Sequence, residues 1–141
     1  MSVPMPVVDA SVVVDWVAPD ADPDGVAGRL LRSLGEASAT LVAPRLLREE
    51  VANALLTGCR RGRWEGVSAD RAVQALWSLP LALLDDEQTL ERAWELSRRY
   101  DNHPVYDMVY VALAQQVGED LFTADETLRR RLVGLDFVKA P

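Results

Sequence analysis

Cysteine is almost missing from this chain: Cys59 stands alone among 141 residues. A lone thiol excludes an internal disulfide and a thiolate metal site, and it makes a reducing cytoplasm the expected compartment. Lysine is as scarce, since Lys139 is the single lysine among 15 basic residues and arginine supplies the rest. With Ala, Val and Leu abundant, that bias is what GC-rich coding produces, and it carries little functional weight. The 8 glycines form no glycine-rich nucleotide loop, so ATP dependence is not expected. No stretch reaches the roughly 18 uncharged apolar residues of a membrane span. Met1 to Pro6 lacks a basic start and the first apolar run stops at Asp9, so no secretory leader is expected.

What is present is an ordinary globular composition, 49% apolar and 26% charged, with a net charge of −7. The length suggests one domain, residues 1–141, large enough to build a core, and no repeat, linker or low-complexity segment divides it. The negative balance excludes coating nucleic acid by charge alone. It leaves room for a nuclease, whose active site is itself a cluster of acids needing metal, and for a basic partner.

Apolar runs alternate with helical spacing along the whole chain. Strands are predicted at Pro6–Asp9, Thr40–Ala43, Leu81–Leu84, Leu121–Thr123 and Phe137–Lys139. Between them, helices are predicted over Ala10–Val17, Val26–Leu34, Leu46–Arg61, Ser68–Ser78, Glu87–Tyr100, Val105–Val117 and Glu126–Leu132. Val26, Leu30, Leu31 and Leu34 form one apolar side, Ser68 is placed as an N-cap, and Gly62 and Gly118 as helix ends. Short apolar strands alternating with helices point to a parallel sheet covered on both faces. Ligands in such sheets bind at the carboxyl ends of strands.

Four acids stand where an acid is locally out of place. Asp9 ends the apolar Val7-Val8, at the carboxyl end of the first strand, where helix capping is an equally cheap reading. Ser11, two residues on, suits either holding that carboxylate or capping the turn. At 100° per residue, Glu50 falls about 85° from the centre of the Leu47/Val51/Ala54/Leu55 stripe, at the border of the buried face. Glu49 points nearly opposite and reads as a solvated acid. Asp107 opens a helix apolar on most of its circumference, though acids also favour a first turn through the macrodipole. Asp125 follows the fourth strand, where capping again suffices, and Thr123 beside it suits orienting a carboxylate or simply a strand. Bare charges on apolar elements cost several kcal/mol or more, on the order of magnitude, so they are paired, neutralised or bound to metal. Gathered together, the four make an all-oxygen site for a hard divalent cation.

These residues resemble the PIN-domain family, and most closely the VapC toxins of type II toxin–antitoxin pairs. Val7-Val8-Asp9-Ala10-Ser11 resembles the opening strand motif, and Glu50-Val51-Ala52-Asn53-Ala54-Leu55 the helix bearing the family's glutamate. Tyr106-Asp107-Met108-Val109-Tyr110-Val111-Ala112-Leu113-Ala114 is similar to the third motif and Thr123-Ala124-Asp125 to the fourth. The resemblance implies a three-layer α/β/α sandwich with a central, mainly parallel sheet. It implies a Mg²⁺- or Mn²⁺-dependent endoribonuclease that hydrolyses RNA with metal-activated water. Asp9, Glu50, Asp107 and Asp125 would be the acidic constellation, with Asp9 and Asp107 as direct ligands and Ser11 and Thr123 in support. A cognate antitoxin would bind and block the site, and a homodimer is implied as well.

Two other readings stay open: a binding module of the same fold with an idle site, and a metal phosphohydrolase acting on small phosphoesters. The clusters Arg60, Arg61, Arg63 and Arg129, Arg130, Arg131 are phosphate contacts or solvated helix-end charges that complement the macrodipole. Trp16, Trp64, Trp77 and Trp94 belong to core, interface or base stacking. His103, the only histidine, sits in a loop and is a weak candidate for acid–base work.

Overall fold

The computed structural model describes residues 3–141, so the leader reading at Met1 and Ser2 lies outside the described residues. Five short strands form one sheet: β1 (Val7–Val8), β2 (Leu41–Ala43), β3 (Leu81–Leu83), β4 (Leu121–Phe122) and β5 (Val138–Lys139). Their order is β3-β2-β1-β4-β5, and every pairing is parallel. The sheet is therefore wholly parallel, where a mainly parallel one was expected. Seven helices flank it among the described residues: α1 (Ala10–Val17), α2 (Val26–Glu36), α3 (Leu47–Arg60), α4 (Gly66–Ser78), α5 (Glu87–Arg99), α6 (Val105–Val117) and α7 (Glu126–Arg131). The architecture is an α/β sandwich.

The centre of the sheet explains its own sequence. Val7 pairs with Val42 on one side and Leu121 on the other, and all three are buried. A strand covered on both faces takes β-branched apolar residues without alternation, which is what Val7-Val8 and Leu41-Val42-Ala43 supply. Leaving β1, the chain returns on the β2 side, whereas β4 and β5 lie on the other. The carboxyl ends of β1 and β4 thus meet at the point where the winding direction changes, the usual place for a ligand.

α6 is the central helix, buried without interruption from Met108 to Ala114 and closed by Gly118 in the left-handed region (φ 68°). It packs along α5 and against β1 and β4, while α1 touches α2, α3 and α4. α5 begins with a reciprocal capping box between Asp86 and Thr89.

One local expectation fails. α4 starts at Gly66 with Glu65 in the N-cap position, so Ser68 lies inside the first turn and caps nothing. The turn before it is instead anchored by Trp64, whose Nε1–H donates to the Leu55 carbonyl (2.9 Å). α2 is peripheral: Val26 is exposed, Leu30, Leu31 and Leu34 are only half-buried, and Ala27 is its buried residue. Close approach drives this, because the Trp16 indole N–H donates to the Ala27 carbonyl (2.7 Å) and draws the helix in at its small residues.

Gly58 shows how tightly α3 is packed. A Cβ there would lie 2.1 Å from the Trp64 ring, which is pinned through its own hydrogen bond. Gly58→Ala gains roughly 1 kcal/mol of helix propensity but forces that ring out of its seat. A net loss of about 1–3 kcal/mol is expected in urea unfolding; an unchanged or raised midpoint would show that the ring yields freely.

Candidate active site

Asp9 leaves β1 with extended backbone (φ −79°, ψ 154°) and stands at the head of α1. Its N–H continues the sheet ladder to the Phe122 carbonyl (3.0 Å), and its own carbonyl accepts the Val12 and Val13 N–H groups. The main chain therefore occupies a capping position, but the carboxylate makes no capping bond. It turns inward, leaving Asp9 only 6% exposed.

Two hydroxyls hold it there. Ser11 Oγ donates to Asp9 Oδ2 at 2.6 Å, and Thr123 Oγ1 donates to the same oxygen at 2.8 Å. Each hydroxyl also accepts a main-chain N–H, Ser11 from Ala124 (2.9 Å) and Thr123 from Asp125 (3.1 Å). Because those N–H groups fill the hydroxyls' acceptor sides, each hydroxyl proton is directed at the carboxylate. Burial pushes the Asp9 carboxyl above its ordinary range; the two hydroxyls oppose that, and the charge on Asp107 adds to it.

Glu50 comes from the first turn of α3 and is half-buried, while its neighbour Glu49 is exposed, as the helix geometry of the sequence requires. The Tyr110 hydroxyl donates to Glu50 Oε1 at 2.6 Å. Burial raises the Glu50 carboxyl most, Tyr110 opposes this, and the charges of Asp9 and Asp107 raise it further. Burial and the facing Glu50 push the Tyr110 phenol far up, so it remains a protonated donor.

Asp107, in the first turn of α6, keeps 31% of its side chain exposed. Its Oδ2 lies 2.6 Å from His103 Nε2, and Arg131 Nη1 lies 3.0 Å from His103 Nδ1. Asp125 stands apart. It is the N-cap of α7, accepting the Leu128 N–H at 3.0 Å, and it connects to Asp9 only through the Thr123 hydroxyl. Of the four acids predicted to share one cavity, Asp9, Glu50 and Asp107 act on one another electrostatically, and Asp125 uses one oxygen to cap α7.

Neither Asp9 nor Glu50 has an arginine or lysine partner among the described ion pairs. The arginine clusters go elsewhere. Arg63 pairs with Asp20 (2.9 Å) over the Trp64 ring, and Arg129 donates to the Thr123 carbonyl (2.5 Å). Tyr110 was not singled out from sequence, and Arg129 and Arg131, weighed there as phosphate contacts or helix-end charges, instead bond the Thr123 carbonyl and the His103 ring. Tyr110 carries a usable signal, lying one helical turn beyond Asp107 on the same helix.

Comparison with known proteins completes the site. The PIN-domain family model matches residues 7–131. The chain belongs to the PIN-domain family and is of the VapC type. It is 35% identical to ribonuclease VapC3 of Mycobacterium tuberculosis over 88% of this chain and 85% of that one. It is 30% identical to ribonuclease VapC3 of Pyrobaculum aerophilum, over 92% and 95% of the two chains. The crystal structure of Mycobacterium tuberculosis VapC20, a sarcin–ricin loop cleaving toxin, superimposes with a TM-score of 0.69 at 20% identity, covering 96% and 99% of the chains. That last likeness carries the fold.

The PIN-domain donor set suits a hard divalent cation: three carboxylates that repel one another, one deeply buried, and no basic side chain compensating Asp9 or Glu50. Among the described residues no three His, Cys, Asp or Glu side chains converge closely enough to hold a metal by themselves. Mg²⁺ tolerates such spacing, since it is commonly held by one or two carboxylates and keeps several waters.

A raised carboxyl pKa has a stability consequence of definite sign. The cost of ionised Asp9 is absent below the ordinary carboxyl pKa, grows as pH rises from that value to the raised one, and is complete above it. Without divalent cation, Asp9→Asn is expected to raise Tm at neutral pH, because the amide keeps an oxygen for the two hydroxyls and removes the buried charge. The gain should shrink as pH falls toward about 4. A lower Tm for the Asn variant at neutral pH would contradict the buried-charge reading.

Proposed function

We propose that this chain is a divalent-metal-dependent endoribonuclease, the toxin of a toxin–antitoxin pair acting in the cytoplasm. The observation carrying the reading is a buried, hydroxyl-clamped Asp9 that lacks a basic partner, beside Glu50 and Asp107. Membership of the VapC type and relatives named ribonucleases supply the substrate class.

The residues divide the work by environment. Ser11 and Thr123 fix one Asp9 oxygen, so the carboxylate presents a set orientation to the site. Tyr110 does the same for Glu50 from the opposite side. Asp9, Asp107 and Glu50 would hold the metal or its waters, with Asp125 contributing from the head of α7. Left alone, three acids repel an anionic phosphodiester as strongly as they repel one another. A bound Mg²⁺ or Mn²⁺ would offset that repulsion, favour ionisation of a water and stabilise the leaving oxygen.

A net charge of −7 suits a basic antitoxin segment covering the acids. Leu90 and Trp94 expose apolar surface one turn apart on α5, which suits protein contact, including with a second copy in a homodimer.

Cleavage of a structured RNA with Mg²⁺ or Mn²⁺ tests the proposal. EDTA should abolish cleavage, and Asp9→Asn should lower the rate by about 10²–10³-fold, the scale of several kcal/mol of charge stabilisation. Glu49→Gln, one residue from Glu50 but exposed, should stay within about threefold of the parent. Cleavage indifferent to EDTA and to Asp9→Asn would refute a metal site at Asp9. Activity confined to small phosphate esters would favour a phosphohydrolase, and no activity at all an idle binding module.

A further inference from the structure

His103 is 9% exposed, and both of its ring nitrogens are engaged, by groups from different parts of the chain. Nδ1 faces Arg131 Nη1 at 3.0 Å, and Nε2 faces Asp107 Oδ2 at 2.6 Å. A guanidinium has five N–H donors and no acceptor. The ring nitrogen it touches must accept, so Nδ1 carries no proton. A neutral imidazole then bears its proton on Nε2 and donates it to Asp107. A carboxylate accepts there without conflict, so both contacts agree on one tautomer.

We propose that Arg131 and His103 form a positioning relay that sets the orientation of the Asp107 carboxylate in the site. Arg131 holds the ring at Nδ1 and agrees with Asp107 on the tautomer, and His103 presents a fixed donor to Oδ2, which leaves Oδ1 without a partner among the described hydrogen bonds. The relay ties the site to α7, whose Leu128 N–H is capped by Asp125 and whose Arg129 donates to the Thr123 carbonyl. One short helix thereby steadies both ends of the acidic cluster, Asp9 through Thr123 and Asp107 through His103. Outer partners of this kind typically change metal affinity by 10–100-fold when removed. The functional consequence rests on the proposed role of Asp107 at a metal site; the tautomer does not.

His103 is the only histidine, so its imidazole resonances need no assignment. Long-range ¹H–¹⁵N correlation at about pH 8, where an imidazole is ordinarily neutral, reads the tautomer without metal or substrate. The expected pattern is a proton on Nε2 and none on Nδ1, retained in Arg131→Met, where the Asp107 carboxylate still requires a donor at Nε2. A proton on Nδ1 in the parent protein would overturn the relay.

The second arm is Mn²⁺ affinity, measured from the electron paramagnetic resonance signal of free Mn²⁺. His103→Leu should weaken binding about 10–100-fold. His103→Gln, whose amide offers a donor near Nε2 and an acceptor toward Arg131, should stay within about threefold of the parent, and Arg131→Met should fall between them. If His103→Leu does not fold, the Gln and Met variants decide. Parent-like Mn²⁺ affinity in Arg131→Met, or a Gln variant as weak as a folded Leu variant, would overturn the relay. A parent protein that binds no Mn²⁺ but shows the Nε2–H tautomer would refute the metal proposal and keep the hydrogen-bond relay as a structural element.

Discussion

A carboxylate taken out of water at the tip of the central strand is the constraint around which this molecule is organised. Asp9 follows Val7 and Val8, which are wholly buried, and its N–H is locked to β4. What the fold supplies in place of water is a pair of hydroxyls, each oriented by a main-chain N–H from the turn after β4. Neutral donors reduce the cost of the buried charge, and burial still outweighs them.

The other acids are delivered by helices that pack for apolar reasons. α6 must lie against β1 and β4 because its circumference is almost wholly apolar, and this fixes Asp107 over the carboxyl end of the sheet. α3 buries Leu47, Val51 and Leu55, and Glu50 falls at the border of that stripe, where Tyr110 reaches it. Packing energy thus brings together groups that repel. Such an arrangement lowers stability, a familiar trade at functional centres.

Much of this was legible in the chain itself. The alternation of short apolar runs with helical spacing gave five strands and seven helices close to the observed bounds, because strands buried on both faces have no other way to read. The distinction between Glu49 and Glu50 followed from 100° per residue alone. Less was legible where side chains compete for one role. Ser68 looked like a cap, but the turn held by Trp64 starts α4 two residues earlier. Asp125 does cap α7 through one oxygen, as one of the two readings of it held. His103 looked like a loop residue of small account. Its spacing of four to Asp107 was visible, yet its second partner, Arg131, is brought near only by the placement of β4 and α7. Pairings within one helix can be counted from sequence; those between elements wait on the fold.

The role proposed for Asp9 turns on where a cation binds. Crystals grown with Mn²⁺ and measured at its absorption edge would locate the ion through its anomalous scattering. The expected result is a peak beside the Asp9 carboxylate, with Asp107 or Glu50 in the same coordination sphere directly or through water. Peaks confined to exposed acids such as Glu49, with Asp9 buried and bare at saturating Mn²⁺, would contradict it.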